Sequence, residues 1–166
     1  MSLPVYELPL RRKPGFDEAP FNEAPPATPP YEIWDPVRRK YVRLTPEEWV
    51  RQRLLHFLIT ERQYPAGCLA VERKPPHARG LPGFDILAYS PAASPLLLAE
   101  CKAPEVGLQP AALLQLARYN EQLQAPLLIC TNGNDARVLF NDLPDKVFSL
   151  ANLPAYPSPT ISLPKL

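Results

Sequence analysis

The chain has no apolar run approaching the about 18 residues that a membrane-spanning helix needs, so none is expected to cross a bilayer. Its start, Met1-Ser2-Leu3-Pro4, lacks a basic region followed by an apolar core, which predicts no signal peptide. No internal repeat is visible, which sets aside repeat architectures. Cysteine is scarce. Cys68, Cys101 and Cys130 are an odd number without close spacing, and two of them sit inside apolar runs. Buried free thiols are expected rather than disulfides or a zinc site, which fits a reducing cytoplasm. Histidine is scarcer still. Neither His56 nor His77 has a second ligand at suitable spacing, so both are expected in structural or solvated roles. Nor is there an excess of one charge. The net is +1, which by itself argues against a nucleic-acid partner.

Proline is abundant, with 24 in 166 residues. Nine fall in residues 1–36 and four in residues 151–166. Those ends cannot be regular helices or central strands. They are expected as extended arms, disordered or laid along the body. A Pro-rich arm over 1–30, one globular domain over 31–150 and a Pro-rich tail over 151–166 follow. Apolar content of 46% and charged content of 21% suit one soluble domain with a sizeable core. The charge is unevenly spread. Residues 36–80 carry ten Lys/Arg against four Asp/Glu, whereas the flanking segments are net acidic. A basic middle could face phosphates while the acidic part holds a metal; a plain solvated basic surface is the alternative.

Tyr31–Asp35 and Lys40–Leu44 alternate around a turn at Pro36–Arg39 and predict a small hairpin. Thr45-Pro46-Glu47-Glu48 predicts a sharp helix start, with Thr45 as N-cap, Pro46 at the first position and Glu48 completing a capping box. That helix should run to about Arg62 and bury Trp49, Val50, Arg53, Leu54, Phe57 and Leu58. Strands are expected over Cys68–Arg73, Phe84–Tyr89 and Leu96–Lys102. A second helix spans Pro110–Gln124, followed by strands over Pro126–Cys130 and Ala136–Phe140. The class is α/β, a mixed sheet flanked by helices in the order αβββαβ, with an N-terminal β-hairpin.

The stretch from Gly83 to Lys102 places charge where a strand core should reject it. Asp85 lies in the first apolar run, and Glu100 and Lys102 end the second. Strand side chains alternate, so Glu100 and Lys102 share a face and Cys101 points away. If the two strands are neighbours, Asp85 joins them. Two carboxylates and an ammonium suit a divalent cation and a hydrolytic water. Taken alone, Glu-x-Lys is a weak motif, and Glu72-Arg73-Lys74 is a second copy, but no aspartate-bearing strand precedes Glu72. On the second helix, Gln115 and Tyr119 are four apart and share one side. Arg38, Arg39, Lys40, Arg73, Lys74 and Arg79 are candidate phosphate contacts.

Asp85 followed by Glu100-Cys101-Lys102 resembles the PD-(D/E)xK nuclease superfamily. Gln115-Leu116-Ala117-Arg118-Tyr119 resembles the Gln-xxx-Tyr motif of nucleases related to the motor subunits of type I restriction enzymes. The likeness extends over roughly residues 31–150. It takes in Ile33-Trp34-Asp35-Pro36, Leu44-Thr45-Pro46-Glu47-Glu48-Trp49, Ala99-Glu100-Cys101-Lys102-Ala103-Pro104 and Thr131-Asn132-Gly133. Together these are similar to the type I restriction enzyme R-subunit N-terminal domain family. The resemblance implies a restriction-endonuclease-like core, a bacterial origin and a Mg²⁺-dependent (or Mn²⁺-dependent) DNA nuclease site. In that site Asp85 and Glu100 would hold the ion, with the Cys101 backbone carbonyl as third ligand, and Lys102 would orient or deprotonate the attacking water. It further implies that Gln115 and Tyr119 lie near the active site and contact DNA. A glutamate of the first helix, Glu48 or Glu47, would complete the metal site. Two departures stand out. Gly83-Phe84, not a basic residue, precedes Asp85, and no G-x-x-x-x-G-K-[ST] occurs, so this chain is not expected to drive translocation itself. The expected partners are DNA, a separate motor or specificity protein, and a second copy of the chain. A non-cleaving DNA-binding or assembly module with the same fold is the alternative, and a generic interaction domain the third reading.

Overall fold

A computed structural model describes residues 2–13, 31–73 and 83–157. Among the described residues, two sheets and two α-helices form the fold. Strands β1 (Leu10–Arg12), β2 (Tyr31–Asp35) and β3 (Lys40–Arg43) make a small antiparallel sheet. Helix α1 (Pro46–Thr60) leads to the main sheet of β4 (Leu69–Arg73), β5 (Phe84–Tyr89), β6 (Pro95–Cys101), β7 (Leu127–Thr131), β8 (Ala136–Phe140) and β9 (Leu143–Phe148). These six strands are neighbours in chain order. All pairs are antiparallel except β6 with β7, which α2 (Pro110–Leu123) joins as a crossover.

The central strands are apolar on both faces because a helix covers each. Val50, Leu54, Phe57 and Leu58 of α1 pack with Ile86, Ala88, Leu97, Ala99 and Ile129. Ala112, Leu116 and Tyr119 of α2 pack with Leu87, Leu98, Leu128 and Cys130. The two sets alternate along each strand, as a pleated sheet requires. A third, smaller core of Tyr31, Ile33 and Leu44 joins the three-stranded sheet to α1 through Trp49. Cys68, Cys101 and Cys130 are all free thiols, and only Cys68 is not buried. No helix among the described residues is long and apolar enough to cross a membrane.

Several expectations need adjusting. Part of the N-terminal arm is laid along the body. Leu10–Arg12 pairs with β2, turning the expected hairpin into three strands, and Leu3 is buried with its N–H on the Gly133 carbonyl at 2.9 Å. Gly133 itself requires its lack of a side chain. Its φ is +85, and a Cβ there would lie 3.2 Å from Val50 of α1. Strand β9 was not anticipated. Helix α1 stops at Thr60, two residues early, where Glu61 takes the C-cap position. Trp49 is only half-buried, and His56 packs against Tyr6 with the rings tilted and their centres 4.3 Å apart. Only half of the capping box forms. Thr45 Oγ1 accepts from the Glu48 N–H at 3.0 Å, but the Glu48 carboxylate turns to other partners.

The turn between β2 and β3 is set by Asp35, which is fully buried. Its carboxylate accepts from the Val37 N–H at 2.8 Å, the Arg38 N–H at 2.7 Å, Arg38 Nε at 2.5 Å and Gln52 Nε2 of α1 at 2.9 Å. One carboxylate thus folds the turn and docks it on the helix. Asp35→Ala takes the acceptor from the half-buried Arg38 guanidinium, from Gln52 and from the turn N–H groups, and denaturant titration should show a loss of about 3–5 kcal/mol; Asp35→Asn, which keeps an acceptor, should lose less.

Candidate active site

The ladder between β5 and β6 pairs Ile86 with Ala99, which leaves Asp85 one step further on, beside Glu100. The Cys101 N–H donates to Asp85 Oδ2 at 2.5 Å and fixes that carboxylate against the neighbouring strand. Lys102 lies just past the end of β6. Its backbone N–H is tied to the Thr131 carbonyl at 2.8 Å, and its Nζ reaches back to Glu100 Oε1 at 2.7 Å. Glu100 and Lys102 therefore do share a side, while Cys101 is buried in the core beneath α1. Helix α2 closes over the same group. Gln115 Nε2 approaches Glu100 Oε1 at 3.4 Å, and the Tyr119 hydroxyl donates to the Gly83 carbonyl, next to the start of β5, at 3.3 Å.

Asp85 and Glu100 are only 8% and 7% exposed, so their charges must be compensated locally. The Glu100 carboxyl is pushed up by burial and then by the charge of Asp85, against the pull of Lys102. The Glu47 carboxyl is raised in the same way, by burial and by Asp85. Burial works against the Lys102 ammonium, but its hydrogen bond to Glu100 and the charges of Glu100, Asp85 and Glu47 outweigh that and raise it overall. Burial also raises the Tyr119 phenol, with Glu100 and Asp85 adding to the effect. The charge of Asp85 thus reaches Glu100, Lys102, Glu47 and Tyr119.

Arg51, which sequence reasoning missed, lies at the centre of the neighbouring charges. Its Nη2 contacts Asp85 Oδ1 at 2.7 Å and Glu47 Oε1 at 3.0 Å. Its Nη1 contacts Glu72 Oε1 at 2.9 Å and Glu48 Oε2 at 2.5 Å. Burial disfavours this guanidinium, yet Asp85 and Glu48 more than restore its charge. Arg38 forms the other half of the network, donating to Asp35, to Glu48 Oε1 at 2.8 Å and to Glu72. Glu72, from the Glu-x-Lys copy set aside on sequence grounds, belongs to this cluster. Its backbone is left-handed at φ +47 within β4, a strained conformation for a glutamate. The signal for Arg51 was present in the spacing, since Glu47 and Glu48 precede it by four and three residues on one helix side.

The remaining expected residues are placed as follows. Glu48 has one oxygen on Arg38 and Gln52 and the other on Arg51, so both are committed to protein donors. Arg38 is turned inward onto three carboxylates rather than outward to solvent, because Asp35 three residues earlier captures its guanidinium. Arg39, Lys40 and Arg73 are exposed. Lys74, Arg79 and His77 lie outside the described residues. Among the described residues no group of three or more His, Cys, Asp or Glu side chains is arranged to hold a metal ion. Asp85 and Glu100 stand side by side on β5 and β6, each already accepting hydrogen bonds from the protein. That pair matches what Mg²⁺ takes, which is one or two carboxylates with water filling the other positions.

Comparison with known proteins bears on the same region. No curated protein matches the chain. Residues 46–154 match the family described as type I restriction enzyme R protein N terminus. The match covers α1, the whole six-stranded sheet and α2, and it contains Asp85, Glu100, Lys102, Gln115 and Tyr119. The chain belongs to the family of the type I restriction enzyme R protein N terminus.

Proposed function

We propose that this chain is a Mg²⁺-dependent (or Mn²⁺-dependent) DNA endonuclease of the PD-(D/E)xK type. The observation that carries this reading is the meeting of Asp85, Glu100, Lys102 and Gln115 where β5 starts and β6 ends. The donor set fits a divalent ion. Burial first, and then the charge of Asp85, raises the Glu100 carboxyl, and a cation seated there would relieve both. Asp85 and Glu100 would hold the ion, with the Cys101 backbone carbonyl as a further oxygen. Glu47, half exposed beside Asp85, suits the helix contribution better than Glu48. When bound, the ion would acidify a water and offset charge on the phosphate. Lys102 then has two tasks. Its ammonium orients the attacking water and stabilises the extra negative charge on the phosphoryl oxygens. Gln115 holds Glu100 in place, and Tyr119 contributes a polar edge on the α2 side.

DNA is the proposed substrate, delivered against the exposed Arg39, Lys40 and Arg73. Cutting both strands takes two sites, hence a dimer or two encounters. A separate motor or specificity protein would supply translocation and sequence choice. One observation favours a second reading, a DNA-binding or assembly module that does not cut. Both oxygens of Asp85 already have protein partners, Arg51 and the Cys101 N–H.

Plasmid nicking separates the readings. Cleavage with Mg²⁺ or Mn²⁺ that falls by about 10²-fold or more in Lys102→Ala is expected for the nuclease. Tight, salt-sensitive DNA binding without nicking would support the module instead, and no affinity for DNA at low salt would leave a generic interaction domain. The basic residues of the β2–β3 turn give a second test. Removing the charge of Arg39 or Lys40 should reduce the slope of log affinity against log salt by about 0.9 each. Arg38→Ala should leave that slope unchanged and lower stability by about 3–5 kcal/mol, because its charge is spent inside the protein.

A further inference from the structure

Six carboxylates gather at this end of the molecule, Asp35, Glu47, Glu48, Glu72, Asp85 and Glu100, against three cationic groups. The cations divide the work. Lys102 attends to Glu100, and Arg38 to Asp35, Glu48 and Glu72. Arg51 alone among the described residues bridges the helix acids to Asp85. Its manner of doing so is unusual for an arginine. A guanidinium commonly grips one carboxylate with two parallel hydrogen bonds. Here single contacts go to four different carboxylates. The buried Nε–H is left with no acceptor at all. The group has been drawn into the acids at the expense of its own hydrogen bonding, and it gathers oxygens from several directions as a metal ion does.

We propose that Arg51 is a built-in replacement for a second metal ion, seated between Glu47, Glu48 and Asp85, so that the site accepts a single divalent cation on Asp85 and Glu100. In two-metal hydrolases the ions lie about 3.5–4 Å apart and share a carboxylate. Asp85 is the carboxylate placed to be shared, and Arg51 holds its Oδ1 at 2.7 Å. A second divalent ion would have to displace a buried guanidinium or sit against its charge. The fixed positive charge needs no ion from solution, and its position is set by the fold of α1.

This inference rests on the metal-dependent reading above, and counting bound ions tests the two separately. Calorimetric titration of the full chain with Mn²⁺, checked by electron paramagnetic resonance, should find about one ion on the wild type and on Arg51→Lys, and about two on Arg51→Met. Two ions on the wild type, or one on folded Arg51→Met, would overturn the role of Arg51 while leaving metal dependence standing. No ion on the wild type would remove the metal-dependent reading and this inference with it. Should Arg51→Met prove unfolded in chelator, Mn²⁺ ought to restore its thermal transition; failure to do so counts against a replaceable cation at that position.

Discussion

Two arginines and five carboxylates hold the parts of this molecule that surround the site. Arg38 and Arg51 link Asp35 on β2, Glu47 and Glu48 on α1, Glu72 on β4 and Asp85 on β5. Taking such groups out of water costs several kcal/mol per ion, about what good geometry can return. The network therefore adds less to stability than its number of bonds suggests. What it imposes is position. A shift of α1 along the sheet would strand an unpaired charge, so the helix, the small sheet and the edge of the large sheet are locked in one arrangement. The small apolar core of Tyr31, Ile33 and Leu44 could not do this alone, since apolar contacts tolerate sliding.

Much of the fold was legible because its main elements announce themselves locally. Thr45-Pro46 caps α1, the apolar runs at Phe84–Tyr89 and Leu96–Cys101 are bounded by turn residues, and β7 is apolar throughout. The two strands missed are edge strands. Strand β1 is three residues inside a Pro-rich arm and exists because β2, some twenty residues later in the chain, pairs with it. Strand β9 contains Pro144 and two charged residues, a composition tolerated only at an edge. Neither has a periodicity that could be read without its partner.

The site divides the same way. Period-two alternation was enough to put Glu100 with Lys102 and Cys101 opposite, and the hydrogen bonds agree. Helical spacing was enough to put Gln115 and Tyr119 on one side of α2. Long basic side chains defeated the reading, because charge alone does not say which way they reach. Arg38, Arg39 and Lys40 look equivalent in sequence, yet the first is captured by Asp35 and the other two face solvent. Arg51 and Arg53 sit among apolar residues of α1, and the helical spacing that places Arg53 in the buried stripe says nothing of where either guanidinium reaches. In fact the helix is buried on several sides. Arg51 meets the acids, whereas Arg53 donates to the backbone carbonyls of Leu3 and Pro4.

The far end of α1 is a junction. The Tyr6 hydroxyl from the N-terminal arm donates to Glu61 and its ring packs at a tilt on His56, and the Tyr156 N–H donates to the Arg62 carbonyl at 2.7 Å. Arg62 in turn donates to the carbonyls of Leu150 and Ala151. A helix of 15 residues spans about 22 Å. Segments from both ends of the chain therefore meet at one tip of this rod, while Glu47 and Glu48 stand at the other. Arg53 at mid-helix also grips the Leu3 and Pro4 carbonyls, so strain at the chain termini is spread along α1 before it reaches Glu47 and Glu48.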